Sequence, residues 1–385
     1  MRAGTLLCCC ISIGLIAGSC DSTELTGNGE IYLDLPADKY QYSPEKFLPV
    51  NETATLGRVL FYDRQMSINN TVACASCHKQ EYSFSDNQIS SRGFEGRLTS
   101  RNSMPLQNLF FNSFEFDSKE EVPEMPFTPF SNHLFWDGRE QNLEKLILQP
   151  VGNHIEMGIT DLDQLTRKLS ALPYYAPLFK DAYGSEEITG ERISNAVSTF
   201  LTFITTFNTK FDQFNRDQAS QIALVNSQQN SSVLTAIEIE GMRLFKDKYD
   251  CNACHQVQSP NGYIMAGSFA NIGLDEDSPD PGLFRTTKNP ADAGKFKIPS
   301  LRNVEYTAPY MHDGRFQTLD EVVEHYSHGI ADHPNLDVKL KDASGHAKAM
   351  NISQHEKEAI IAFLHALSDR SIITDPKFSN PFKIK

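Results

Sequence analysis

Cys74-Ala75-Ser76-Cys77-His78 and Cys251-Asn252-Ala253-Cys254-His255 are two copies of one pattern, C-x-x-C-H, in a chain of 385 residues. Two thiols at this spacing reach the two vinyl groups of one porphyrin, while the adjacent histidine places its imidazole on the iron. The copies use every cysteine beyond the first twenty residues, so they point to two haem c groups, one held by Cys74, Cys77 and His78 and one by Cys251, Cys254 and His255. A thioredoxin-like redox pair needs neither a second copy nor the histidines, and a zinc ribbon leaves the histidines unexplained.

The remaining cysteines lie at the start of the chain. Arg2, an apolar stretch from Leu6 to Ala17, and Ala17-Gly18-Ser19-Cys20 read as an export signal over residues 1–20. Cys20 directly after small residues resembles a lipoprotein signal, which would tether the mature protein to a membrane through a lipid on Cys20; ordinary secretion is the alternative. No later stretch approaches the ~20 apolar residues needed to span a bilayer. The expected location is the periplasm or cell envelope. A formal charge of −14 disfavours nucleic acid as a partner and favours a basic electron carrier.

Working outward from the motifs, the chain repeats itself. Gly57-Arg58-Val59-Leu60-Phe61 matches Gly241-Met242-Arg243-Leu244-Phe245, and Asp137-Gly138-Arg139 matches Asp313-Gly314-Arg315, in register with the two histidines. Ile193, Ala196, Val197, Phe200, Leu201, Ile204, Phe207 and Phe211 recur at helical spacing. Capping boxes at Thr235/Glu238 and Ser353/Glu356 open two further helices. No sustained strand alternation is visible, so the expected fold is all-α, with two cytochrome c-type domains that each bind one haem c covalently. The expected division is 21–216 for the first domain, a Gln-, Asn- and Ser-rich linker over 217–232, and 233–385 for the second.

The chain resembles the bacterial di-haem cytochrome c peroxidases and their MauG-like relatives from about Pro44 to Ser368. The resemblance rests on both C-x-x-C-H motifs with Phe135-Trp136-Asp137-Gly138-Arg139, Ile155-Glu156-Met157-Gly158, Ile298-Pro299-Ser300-Leu301-Arg302-Asn303 and Thr307-Ala308-Pro309-Tyr310-Met311-His312-Asp313-Gly314. It implies a first haem with an open side for peroxide and a second, fully ligated haem that passes electrons inward. It implies that Glu156 handles protons during O–O cleavage, although without the family context Glu156 would read as a surface residue. Trp136, the sole tryptophan, would lie between the haems, as electron relay or as packed aromatic. Asn102, Thr307 and Pro309 would bind one calcium ion through a side-chain oxygen and two backbone carbonyls.

Three departures fall on positions that distinguish members of the family. Phe94, in Ser91-Arg92-Gly93-Phe94-Glu95-Gly96, stands where a removable distal histidine is expected, so the first haem should be open unless His133 or His154 reaches it. Leu146 replaces a distal glutamine. Tyr326 replaces the methionine ligand of the second haem, the MauG-like arrangement, with the adjacent His325 as the competing ligand. A loop-like insertion over 112–132 contains Pro123, Pro126 and Pro129. The expected function is reduction of hydrogen peroxide to water with electrons from a small donor such as a cytochrome c. The alternatives are a MauG-like oxidase that modifies a protein or peptide partner, and an electron-transfer or redox-sensor cytochrome without turnover.

Overall fold

The computed structural model describes residues 31–35, 51–109, 133–223, 233–257 and 269–384. The export signal with Cys20, the insertion over 112–132 and the end of the expected linker, 224–232, lie outside the described residues. The described chain is mainly helical, with short helices and many turns between them.

The first half is built from α1 (Asn51–Tyr62), the short α2 (Cys74–Cys77), α3 (Leu143–Gly152), α4 (Leu162–Ser170), α5 (Tyr175–Tyr183) and α6 (Gly190–Thr202). Helix α1 crosses α6 so closely that a Cβ on Gly57 would lie 1.9 Å from the Ala196 carbonyl oxygen. Only glycine permits that approach. Phe61, Phe84 and Phe200 fill the crossing, with Phe61 and Phe200 centroids 5.4 Å apart. The second half repeats the device. Helices α7 (Lys210–Ala223), α8 (Ala236–Arg243), α9 (Phe284–Thr287), α10 (Leu319–Glu324), α11 (Gln354–His365) and α12 (Ser371–Thr374) follow in order. Gly241 of α8 meets α11, where a Cβ would stand 1.8 Å from the Ala359 carbonyl oxygen, and Phe245 lies 5.5 Å from Phe363. The repeat around residues 57 and 241 is thus a helix-crossing site used twice.

The second repeat is equally physical. Asp137-Gly138-Arg139 and Asp313-Gly314-Arg315 each form a turn with glycine at positive φ (63° and 64°), closed by an Asp–Arg ion pair of 2.9 Å and 2.6 Å respectively. Both expected capping boxes are present, at Thr235/Glu238 and Ser353/Glu356, and Thr318/Glu321 adds another before α10.

Four details differ from the sequence reading. The strands β1 (Ile31–Leu33) and β4 (Phe382–Ile384), and β2 (Phe269–Ala270) and β3 (Phe296–Lys297), form two small antiparallel pairs, too short to leave an alternation signal. The apolar run from Ile193 does not stay in one helix: α6 stops at Thr202, and Phe211, on α7, belongs to the second core. Helix α7 continues to Ala223, into the stretch expected as linker. The end of the chain packs on the first half, not the second, with Ile372 and Phe378 buried in the first core. Arg58 donates to Ser379 O at 2.6 Å, Tyr62 to Phe378 O at 2.6 Å, and Gln80 to Ile372 O at 2.8 Å. No helix among the described residues is long and apolar enough to cross a membrane.

Residues of the 298–303 motif hold α7 to the second core and tie that half to the first. Arg302 forms two hydrogen bonds with the Asp212 carboxylate, at 2.6 and 2.8 Å, and donates to Thr206 O. Asn303 donates to Ser83 Oγ at 2.9 Å and accepts from Asp369 N. Such a buried, fully bonded pair positions the parts it joins, and breaking it leaves a bare charge.

Candidate active site

A cavity of about 650 Å³ opens between the halves, lined by Cys74, Cys77, His78, Asn102, Trp136, Leu146, Glu156 and Lys297 among others. That volume lies within the roughly 300–1,000 Å³ of small-molecule and cofactor pockets. The chemistry of its donors suits a haem. The His78 Nδ1 lies 3.0 Å from Phe84 O and 3.1 Å from Ser103 Oγ, which orients the ring and leaves Nε2 for a metal. Burial pushes its pKa down, against the hydrogen bond to Phe84 O, and so favours the neutral imidazole a ligand needs. Burial pushes the Cys74 and Cys77 thiols up to about 12, the reverse of the depressed thiol of a thioredoxin-like pair.

The second motif is held in the same way. The His255 Nδ1 lies 3.1 Å from Pro299 O, and burial lowers the imidazole to about 4. Burial raises Cys251 to about 12. The four thiols form no disulfide. Among the described residues no group of three or more His, Cys, Asp or Glu side chains is arranged to hold a metal ion.

Tyr326 and His325 sit on a wide π turn, His325–Gly329, that follows α10. Such single widened turns recur at functional sites. Burial raises the Tyr326 phenol well above its ordinary value, and the Cys251 and Cys254 thiols close to it act in the same direction. The neighbouring His325 turns elsewhere, its Nε2 lying 3.0 Å from Ile272 O. The two candidates therefore face different surroundings, with the phenol on the side of the C-x-x-C pair.

On the first cavity, Glu156 follows α3 in the turn 153–158. Asn153 builds that turn: its side-chain oxygen accepts from Ile155 N at 2.9 Å and its Nδ2 donates to Glu156 Oε1 at 2.6 Å. Burial raises the Glu156 carboxyl above its ordinary value, opposed in part by the Arg139 guanidinium and the Asn153 bond. Helix α3, capped by Asn142, lays Leu146, Ile147 and Pro150 along the same wall.

Phe94 does not line this cavity. Its ring is buried against Gly158, under the Arg97 guanidinium at 4.6 Å. The Phe94 loop is stitched to the Glu156 turn by Phe94 N to Glu156 O at 2.9 Å, and a Cβ on Gly93 would lie 1.8 Å from Ile155 O. His133, its Nδ1 3.2 Å from Gly138 O, and the exposed His154 are also absent from the described lining, where His78 is the sole histidine.

Trp136 donates from Nε1 to Asn102 O at 2.9 Å, and its own carbonyl accepts from Lys297 N at 2.9 Å. Two residues beyond Lys297 is Pro299, whose carbonyl faces His255. The tryptophan is thus one short stretch of backbone from the second motif. Asn102 approaches the 307–314 loop through Asn102 N to His312 O at 2.7 Å, and turns its Nδ2 to Gln88 O at 2.8 Å; Thr307 and Pro309 lie in that loop. The sequence reading missed an ionic group beside this cavity: Arg101 forms a bidentate bond with Asp280 (2.6 and 2.9 Å) and a third with Asp137 at 2.7 Å. It missed Lys297 and the Arg302–Asp212 clasp as well. The recurrence of Asp137-Gly138-Arg139 was the available signal for Asp137; nothing in the pattern pointed to Lys297.

Comparison with known proteins agrees with this geometry. Residues 51–220 match the family model described as di-haem cytochrome c peroxidase. The methylamine utilization protein MauG of Methylorubrum extorquens is 30% identical over 329 residues, 85% of this chain and 81% of that protein. The cytochrome c551 peroxidase of Nitrosomonas europaea is 30% identical over 278 residues, 71% of this chain and 72% of that protein. The crystal structure of a MauG-like protein associated with microbial copper homeostasis superposes with a TM-score of 0.68 at 29% identity, covering 89% of this chain and 99% of that one. Paired C-x-x-C-H sites with half-buried, backbone-oriented histidines, together with these likenesses across most of the chain, show that it belongs to the di-haem cytochrome c peroxidase and MauG family.

Proposed function

We propose that this oxidoreductase reduces hydrogen peroxide to water at the first site, with electrons delivered through the second by a small donor protein such as a cytochrome c. Family membership implies two haem c groups, here assigned to Cys74, Cys77 and His78 and to Cys251, Cys254 and His255. The observation that carries the reading is Glu156: a half-buried carboxyl with a raised pKa, fixed by Asn153, on the wall of the cavity that contains His78. When bound, the haem supplies the iron and the electrons that peroxide reduction needs. Glu156 accepts a proton from one peroxide oxygen and returns it to the other, a task that suits a carboxyl tuned upward by burial. Leu146, Ile147 and Pro150 keep that wall apolar, and Leu146 offers no hydrogen bond to a bound oxygen. Trp136 lies on the path between the sites. The reading includes a cell-envelope location with a lipid on Cys20, and a calcium ion held by Asn102, Thr307 and Pro309 beside Trp136.

The test is steady-state oxidation of reduced cytochrome c by peroxide with the holoprotein and Glu156→Gln. We expect catalytic turnover that falls about 10²- to 10⁴-fold in the variant at unchanged haem content. A second reading, a MauG-like oxidase acting on a protein or peptide partner, is favoured by Tyr326 beside the Cys251 and Cys254 thiols. Fast reaction with stoichiometric peroxide but no donor turnover would select it. No reaction with peroxide would sink both and leave an electron carrier or sensor.

A further inference from the structure

Lys297 is 9% exposed and its side chain lines the cavity that holds Cys74, Cys77 and His78. Strand β3 throws its two side chains to opposite faces. Phe296 stacks on His312 at 3.6 Å between centroids, with the Arg101 guanidinium 5.6 Å from its ring, and Lys297 takes the cavity side. The backbone is pinned there by Lys297 N to Trp136 O at 2.9 Å and by pairing with Phe269 of β2.

The other cations on this wall are matched: Arg101 by Asp137 and Asp280, Arg139 by Asp137, and Arg285 by Asp280 at 3.4 Å. No carboxylate among the described residues pairs with Lys297, and burial alone draws its ammonium down to about 8. Leaving an ammonium buried and unpaired is unfavourable. A bonded wall that carries one cation without a carboxylate partner favours an anion in this cavity.

We propose that Lys297 pairs with a propionate carboxylate of the haem attached at Cys74 and Cys77, as a binding and positioning residue between Trp136 and the second site. The inference rests on that haem occupying this cavity. A fixed positive charge at the haem edge is poorly screened when buried and favours the reduced state. Lys297 therefore sets the first site's potential relative to the second, and with it the direction in which electrons run past Trp136.

The test uses the full holoprotein. Mass spectrometry of the haem-bearing peptides first establishes attachment at Cys74 and Cys77, so failure of the haem reading is seen separately. Spectroelectrochemical titration then resolves both haems. Lys297→Met should lower the first haem's midpoint potential with a smaller change at the second, and Lys297→Arg should retain most of the wild-type value. In wild type, a paired ammonium keeps its proton well above its unpaired value of about 8, so the first haem's potential should show no break near pH 8. The other charged groups lining the cavity are Arg101, Asp137, Arg139, Glu156 and Arg285, and repeating the profile in Glu156→Gln isolates the carboxyl that burial raises. A first-haem potential unmoved in Lys297→Met, or a wild-type break near pH 8 that survives Glu156→Gln, overturns the proposal. Should Lys297→Met fail to accumulate, the wild-type profile decides alone.

Discussion

Gly241 approaches Ala359 so closely that a side chain at 241 would begin 1.8 Å from the Ala359 carbonyl oxygen, and Gly57 repeats the contact with Ala196 at 1.9 Å. A methyl group at either position must push two helices apart. Gly241→Ala and Gly57→Ala should each lower stability by about 1–3 kcal/mol, the usual cost of overpacking. Denaturant unfolding of the holoprotein measures it, and an unchanged midpoint would mean that the crossing is loose.

Arg302 and Asp212 form the second prediction. Their side chains are 6% and 12% exposed, and removal of either partner strands the other. Arg302→Met or Asp212→Asn should cost about 3–5 kcal/mol, whereas the double variant should cost less than the sum of the two. Additive losses would show that the two groups act independently.

Acid should loosen the cavity wall through Asp280. Burial alone would raise this carboxyl, but hydrogen bonds from Arg101 and Gly282 N, with the charges of Arg101 and Arg285, hold it at about 2. A carboxyl depressed on folding contributes stability that is complete above its unfolded value, about 3.9, and is lost as pH falls through the folded one. Melting temperature should therefore fall as pH drops from about 4 toward 2 more steeply in wild type than in Asp280→Asn. Parallel profiles would remove Asp280 from the account.

Tyr326 and His325 separate in a spectroscopic experiment. Tyr326→Phe should change the optical and paramagnetic signature of the second haem alone, and His325→Gln should leave it largely intact, because that ring faces Ile272 O. The reverse result would exchange the two assignments.

Much of this arrangement was legible in the residues because it is written in short range. C-x-x-C-H, Asp-Gly-Arg and the capping boxes each act within a few positions, and each sits where the pattern placed it. Gly57 and Gly241 were visible as a repeat, but their reason lies in partners far along the chain, Ala196 and Ala359. Phe94 could be read as a residue unable to ligate iron, yet not as one turned away from the cavity, since that follows from Gly93 packing on the Glu156 turn and from Gly158 of that turn lying against the Phe94 ring. The direction of Lys297 depends on a strand of two residues, which leaves no periodicity. The split of the Ile193–Phe211 run was hidden because both cores accept the same apolar residues, and hydrophobic spacing carries no mark of which core receives them.

The bond from Arg58 to Ser379 O spans 321 residues, and around it the last strand, β4, completes the first half by pairing with β1. A ribosome releases the chain from its beginning, so everything from α8 to α11 can close while the earlier core still lacks Ile372 and Phe378. Completion of the first core therefore waits for the last residues of the chain. A chain cut short at its end would leave the first core without Ile372 and Phe378, and so be unfinished at its beginning.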